Sequence, residues 1–313
     1  MQLAKLTRLF EVYPRVQKIE SILCPVDFSE FSVYAYEYAQ ALAWHYKATL
    51  FLQFVLSSPR PSEGWSDASE ESCRKDCADV ERQLKEFAIR HRMTGIRPRC
   101  FVQESSQEGS VTDLAHLIIS LAETQAADLI VMGTHGLRGM DRLIMGSVTE
   151  KVLRRARCPV LAVRKPAHQV FSSVQKSEPI PVRKMLLCTD FSKLSHHASE
   201  YAFSMAMEYG AELTLLHVLE DIARSADLQS ATNEAMKLLE ESIVPQVREE
   251  CIVKVTVRFG KPYQEITQLA LEKQTDLVIM GVRGRGSLHT ALFGSTTYRV
   301  IQLGAVPVLA VHI

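Results

Sequence analysis

The sequence predicts an α/β protein of two tandem, doubly wound domains, each with a five-stranded, mainly parallel sheet flanked by helices. Three observations carry this prediction: an internal repeat, apolar strand runs that do not alternate with polar residues, and amphipathic helical stripes between those runs. The chain has 313 residues and is 47% hydrophobic, which is enough for two domains that each have a core.

The repeat appears as three pairs of matching segments in the same order. They are 22–29 (ILCPVDFS) with 185–192 (MLLCTDFS), 129–133 (LIVMG) with 277–281 (LVIMG), and 158–163 (CPVLAV) with 305–311 (AVPVLAV). Because the three segments follow in the same order in both halves, we interpret the chain as a duplication of one folding unit.

The repeat and the composition around it predict the domain boundaries. An amphipathic lead-in helix and a segment rich in Pro, Ser, Gln and Lys between the halves are the two non-repeated parts. The predicted divisions are a lead-in helix over 1–20, a first domain over 21–164, a linker over 165–182 and a second domain over 183–313.

Within each half the pattern predicts alternating strands and helices. Apolar runs without alternation are typical of parallel strands covered on both faces. The first helix of each half carries an apolar stripe at i, i+3, i+4 spacing, including Ala35 and Tyr38 in one half and Ala198 and Tyr201 in the other. Ser29 and Ser192 are predicted N-caps, and Gly210 is a predicted left-handed C-cap.

Composition excludes several classes of function. Lys+Arg and Asp+Glu both number 36, so no overall field attracts the chain to nucleic acid or to an anionic membrane. The seven cysteines are odd in number and scattered, which favours free thiols in a reducing compartment. No apolar run approaches the roughly 20 residues of a membrane span. We therefore expect a soluble, cytoplasmic protein.

One spaced motif occurs in both halves after the fourth predicted strand. Gly133 and Gly136 are followed, after nine intervening residues, by Gly146-Ser147, and the second half repeats this spacing with Gly281, Gly284 and Gly294-Ser295. Glycine permits positive φ and close approach of a ligand, and Gly-Ser before a helix presents free N–H groups to phosphate. A tight turn is the alternative for one Gly-x-x-Gly, but two copies in register favour a phosphate site.

This Gly-x2-Gly-x9-Gly-Ser pattern is neither a Walker loop nor the dinucleotide fingerprint. Together with the Asp-Phe-Ser strand ends it resembles the ATP-binding branch of the universal stress protein family, in a tandem two-domain form. The resemblance covers Ser21–Val163 and Arg183–Ile313. It implies ATP, with Mg²⁺ or Mn²⁺ held mainly by phosphates and water. It also implies that the closing strands pair in an internal pseudo-dimer, with a homodimer of the whole chain as a further possibility.

The resemblance implies equivalent nucleotide-binding positions in the two halves. In the first half they are Pro25, Val26, Asp27, Val55, Met132, Gly133, His135, Gly136, Gly146, Ser147 and Val148. In the second half they are Cys188, Thr189, Asp190, Val218, Met280, Gly281, Arg283, Gly284, Gly294, Ser295 and Thr296. The aspartates and their neighbours would contact adenosine, the valines would pack near adenine, and the glycine-rich segments would follow the ribose and phosphates.

The two halves differ within this set. Cys188 replaces Pro25, and Arg283 supplies a permanent cation where the first half has His135. These differences are compatible with binding in both halves and leave open whether the two affinities are equal.

We expect a nucleotide-dependent regulator with at most slow ATP hydrolysis and an unidentified protein partner. No catalytic residue is assigned, because neither Asp27 nor Asp190 has a neighbouring His or second carboxylate in sequence. No metal ligand is assigned either. His217 is expected to be a hydrogen-bonded core residue rather than a metal ligand. Two alternatives remain: a true nucleotide hydrolase or transferase, and an interaction scaffold without nucleotide.

Overall fold

The computed structural model describes residues 18–57, 67–93, 95–105, 110–135, 145–164, 182–220, 225–282 and 294–312. These residues fall into two compact units, one within Lys18–Ile180 and the other within Pro181–Ile313. The predicted lead-in helix and linker lie outside the described residues except for 18–20 and 182, which form no regular element.

The first unit alternates strands and helices throughout. Its elements are β1 (Ser21–Pro25), α1 (Glu30–Tyr46), β2 (Thr49–Ser57), α2 (Asp67–Arg90), β3 (Arg99–Ser105), α3 (Val111–Thr124), β4 (Leu129–Gly133), α4 (Ser147–Arg155) and β5 (Val160–Val163). The strands lie in the order β3-β2-β1-β4-β5, and each neighbouring pair is parallel.

The second unit repeats this arrangement. Its elements are β6 (Lys184–Cys188), α5 (Lys193–Tyr209), β7 (Glu212–Leu219), α6 (Ser225–Ser242), α7 (Pro245–Glu250), β8 (Val253–Phe259), α8 (Pro262–Glu272), β9 (Leu277–Gly281), α9 (Ser295–Leu303) and β10 (Val308–Val311). The strand order β10-β9-β6-β7-β8 is again parallel throughout. The predicted α/β fold of two parallel sheets flanked by helices is therefore confirmed.

The helix α7 is an element that the repeat did not predict. It follows α6 after two residues and begins at Pro245. Proline has no N–H to continue the helical ladder but is well placed at a first helical position, so it separates the two helices.

The ends of the first helix in each unit follow the predicted signals. Ser29 accepts a hydrogen bond from the Ser32 amide, and Ser192 does the same for the Ser195 amide. Gly210 closes α5 with a left-handed φ of 60°, and in the first unit Lys47 takes this conformation with a φ of 54°. Both helices therefore start immediately after the Asp-Phe-Ser strand ends.

The central strands form the core of each unit. Residues 22–24 and 130–131 have no exposed surface, whereas the edge strands β3 and β8 are mostly half-buried. Burial on both faces explains why the central strand sequences do not alternate. Among the described helices, none combines the length and the apolar character needed to cross a membrane.

Candidate functional site

The predicted binding residues on or just after the first, second and fourth strands of each unit lie at or near the carboxyl ends of those strands. Asp27 follows β1, Val55 lies near the end of β2, and Gly133 ends β4. In the second unit Asp190, Val218 and Gly281 take the same places. Strand ends of a parallel sheet meet at one edge, which is where open α/β sheets bind ligands.

Each Asp-Phe-Ser segment forms a tight turn between the first strand and the first helix. In the first unit Asp27 Oδ1 accepts hydrogen bonds from the Ser29 amide (3.1 Å) and hydroxyl (2.5 Å). In the second, Asp190 Oδ1 accepts one from the Ser192 amide at 3.0 Å. The middle residues of the two turns, Phe28 and Phe191, have φ of 62° and 58°. This left-handed conformation is energetically unfavourable for a bulky residue. The turn thus holds each carboxylate at the edge of its sheet.

The environment of Asp190 favours its ionised form. Burial by itself raises the pKa of this carboxyl, but hydrogen bonds from the hydroxyl and amide of Ser192 and from the Ser195 hydroxyl outweigh burial and lower the pKa overall. A carboxylate with a lowered pKa is a hydrogen-bond acceptor and a weak base at neutral pH. This agrees with a binding role for Asp190.

The phenylalanine of each turn packs on an aromatic ring from the second strand. Phe28 stacks on Phe54 with ring centroids 4.6 Å apart, and Phe191 packs on His217 at 4.5 Å. His217 Nδ1 lies 2.8 Å from the Thr189 carbonyl oxygen and donates to it. His217 is hydrogen-bonded as expected, but it is half-buried and does not belong to the core. The described residues contain no cluster of three His, Cys, Asp or Glu side chains suited to a metal ion.

The glycines that end β4 and β9 allow a helix to approach the sheet closely. A Cβ at position 133 would lie 3.0 Å from the Phe31 carbonyl oxygen, and one at position 281 would lie 2.6 Å from that of Leu194. Neither glycine has a positive φ. Gly146 and Gly294 also have negative φ, of −59° and −52°. The backbone at these four positions does not use the positive φ that glycine permits; the close contact with the first helix is what requires glycine at 133 and 281.

The helices α4 and α9 begin at the second part of the motif. Their N-caps, Gly146 and Gly294, make no side-chain cap hydrogen bond. The side chains of Ser147 and Ser295 are exposed at the first helical position. The amides at a helix start are unsatisfied within the helix and carry partial positive charge, so each helix offers an N-terminus suited to an anion.

Hydrogen bonds tie these helix starts to the preceding strand. Thr149 Oγ1 donates to the Gly133 carbonyl oxygen at 2.8 Å, and Thr297 Oγ1 donates to that of Gly281 at 3.4 Å. The Gly146 amide donates to the Thr134 carbonyl oxygen at 2.7 Å. The two threonine hydroxyls therefore position each helix against the end of the preceding strand.

His135 lies in the interior of the first unit. Its side chain is 4% exposed, its ring packs on Phe31 at 5.0 Å, and its Nδ1 lies 2.8 Å from the Thr134 hydroxyl. Burial, reinforced by the charge of Arg164, lowers the pKa of His135. The imidazole is therefore neutral at pH 7 and brings no positive charge to this edge of the sheet. Gly136, Arg283 and Gly284 lie outside the described residues.

The lowered pKa of His135 predicts a pH dependence of stability. The unfolded chain takes up a proton near the ordinary His pKa of about 6.5, whereas folded His135 does so only at lower pH. Its contribution to stability is thus complete above about pH 6.5 and is lost as pH falls through the folded pKa. We expect the unfolding free energy of His135→Gln to fall less between pH 7 and pH 5 than that of the parent, as measured by urea denaturation. Equal losses in both proteins would contradict this assignment.

Two glutamines near the same edge of the sheet, Gln53 and Gln103, were not predicted from the sequence. Gln53 on β2 is fully buried, and its Nε2 donates to Gln103 Oε1 on β3 at 2.6 Å and to the Leu117 carbonyl oxygen on α3 at 3.3 Å. The sequence did contain a signal for this contact: Gln53 is the one polar residue within the apolar run 50–56. The second half has Leu216 at the equivalent position.

Comparisons with known proteins agree with the repeat. The profile of the universal stress protein family matches residues 18–164 and 181–312. A universal stress protein of Methanocaldococcus jannaschii is 32% identical over 151 residues, which are 47% of this chain and 83% of that protein. One from Mycolicibacterium smegmatis is 30% identical over 195 residues, and the match spans 60% of this chain and 63% of the relative.

A solved structure matches over nearly the whole chain. The crystal structure of a universal stress protein from Archaeoglobus fulgidus covers 94% of this chain and 99% of its own, with a TM-score of 0.66 and 24% identity. At this identity the match concerns the fold.

Proposed function

The chain belongs to the universal stress protein family, and from that premise we propose that it is an ATP-binding stress-response regulator with one nucleotide site in each unit. The observation that carries the proposal is the pair of helix N-termini at α4 and α9. Each lacks a side-chain cap, and each follows the same Gly-x2-Gly-x9-Gly-Ser spacing.

The residues present fit a triphosphate. In the first unit Gly146, Ser147 and Val148 would hold the phosphates, and Gly294, Ser295 and Thr296 would do so in the second. Ser147 and Ser295 are exposed at the helix start, where a hydroxyl and the first amides can donate together. Mg²⁺ or Mn²⁺ would be held mainly by the phosphates and water, since hard cations accept such oxygen ligands.

The adenosine end would lie toward the first and second strands. Asp27 and the backbone of Pro25 and Val26 would contact the nucleoside in the first unit, with Val55 beside the base. Cys188, Thr189, Asp190 and Val218 are the corresponding positions in the second unit. The remaining proposed positions would support the glycine-rich segments that follow β4 and β9. They are Met132, Gly133 and His135 in the first unit and Met280 and Gly281 in the second, and His135 would act from the interior.

A regulator fits these contacts better than an efficient enzyme. Asp27 and Asp190 each accept hydrogen bonds from the serine of their own turn, and the pKa of Asp190 is lowered. Strong general bases have raised pKa values near the working pH. Bound nucleotide would then act by changing which protein partner the chain binds, in the cytoplasm.

Isothermal titration of ATP into the purified chain tests this proposal. We expect saturable binding that is strengthened by Mg²⁺, with turnover near background. No binding with or without Mg²⁺ would contradict the proposal and favour a nucleotide-free scaffold. Fast turnover that is lost in Asp27→Ala or Asp190→Ala while binding survives would favour a hydrolase or transferase.

A further inference from the structure

The pairing of Gln53 with Gln103 determines how the Gln103 amide is oriented. The Leu117 carbonyl oxygen can only accept, so the Gln53 atom that faces it is Nε2. The same Nε2 faces Gln103, and the atom that it meets there must therefore be an acceptor, Oε1. Within the part of the chain that the structure describes, this leaves Gln103 with an Nε2–H₂ donor group that has no partner and with a second lone pair on Oε1.

Gln103 lies beside Val55. The two residues are register partners on β3 and β2, and both side chains are half-buried, whereas Gln53 is wholly covered. Side chains at i and i+2 of a strand share a face, so Gln53 and Val55 lie on the same side of the sheet. The bond from Gln53 to Leu117 shows that this is the side on which α3 packs.

The start of α4 lies on this side as well. Lys151 Nζ of α4 contacts Thr112 Oγ1 of α3 at 2.5 Å, and the two helices pack against each other. The strand β4 leads to α4, and β1 lies between β4 and β2. The distance from β4 to β2 is therefore two strand spacings, or about 10 Å. A nucleotide whose phosphates are bound at α4 is therefore long enough to place its base beside Val55 and Gln103.

We propose that Gln103 reads the edge of the adenine base in the first unit and that Gln53 is the residue that orients it; this rests on the proposed ATP site. A glutamine amide pairs with adenine by accepting from the N6 amine and donating to a ring nitrogen. Guanine presents a carbonyl oxygen in place of that amine, and an amide held in one orientation cannot turn to suit it. The first site therefore selects adenine over guanine.

The second unit has no glutamine at either of the two equivalent positions. Leu216 occupies the position of Gln53, and Arg258, the register partner of Val218, occupies that of Gln103. Arg258 is engaged by two carboxylates, with Glu265 at 3.6 Å and Glu272 in closer contact. The second site is therefore the less selective of the two.

The test measures ATP and GTP affinity at the first site alone, in a parent carrying Ser295→Asp to repel phosphate from α9. Gln103→Leu is expected to weaken ATP about tenfold and leave GTP unchanged. Gln53→Leu, which copies the second unit, is expected to keep ATP affinity and strengthen GTP, because the Gln103 amide can then turn. Gln125→Leu is the matched control, because Gln125 follows the C-terminus of α3, away from the carboxyl ends of the strands. It is expected to change neither affinity.

Thermal unfolding of each variant separates loss of fold from loss of selectivity, and Gln103→Glu keeps the side-chain size while removing the amide donors. An unchanged ATP:GTP ratio in folded Gln103 and Gln53 variants overturns this inference and leaves the ATP site intact. The inference is also overturned if the Ser295→Asp parent binds no ATP while the unmodified chain binds it. If neither protein binds ATP, the proposed function itself is contradicted.

Discussion

Replacing both Ser147 and Ser295 with aspartate is expected to abolish ATP binding while the protein stays folded. A carboxylate at the start of α4 or α9 places negative charge where the phosphates would lie. Two unit charges 4 Å apart near a protein surface repel by about 4 kcal/mol, so we expect a loss of at least about 100-fold in affinity at each site. The same carboxylate interacts favourably with the helix dipole, by about 0.3–1 kcal/mol.

Calorimetric titration and thermal unfolding of the same samples measure both effects. Each single variant should remove one site and leave the other. The matched control is the double replacement by alanine, which removes both hydroxyls without adding charge and should weaken binding by about tenfold or less. Full ATP affinity in the double aspartate variant would show that the phosphates do not bind at these helix starts.

Gly281→Ala is expected to destabilise the second unit by about 3 kcal/mol, more than Gly133→Ala destabilises the first. The added Cβ would lie 2.6 Å from the Leu194 carbonyl oxygen and 3.0 Å from the Ser195 amide, so the first turn of α5 must move. At position 133 the nearest atom is 3.0 Å away, and a loss of about 1 kcal/mol is expected.

Urea denaturation of the two variants and of Gly294→Ala compares these costs. Among the described residues, a Cβ at position 294 meets only the Thr297 hydroxyl, at 3.7 Å, so this variant serves as a glycine control and should lose about 1 kcal/mol or less. Equal stability of Gly281→Ala and Gly294→Ala would contradict the close packing of α5 on the end of β9.

The fold was largely predictable because its signals are local and occur twice. Each half carries the same apolar strand runs, the same Asp-Phe-Ser segment and the same helical stripe, and the serine caps follow directly from sequence. The short helix α7 was missed because the repeat has no counterpart for it in the first half. Pro245 marked a break but not the turn of helix that follows it.

The candidate site was less predictable because its contacts are made between distant segments. Gly133 and Gly281 were correctly placed at strand ends, but the contact that requires glycine comes from α1 and α5 and is tertiary. The bond between Gln53 and Gln103 joins residues 50 positions apart, on strands whose register sequence alone does not determine. A lone glutamine in an apolar run indicates a buried polar contact without naming its partner.

The number of ATP molecules bound per chain tests the central claim most directly. Native mass spectrometry of the chain at saturating ATP is predicted to show two bound nucleotides, falling to one in either Ser147→Asp or Ser295→Asp and to none in the double variant. A chain that remains free of nucleotide at saturating ATP, or one whose bound nucleotide is unaffected by both substitutions, would contradict the account.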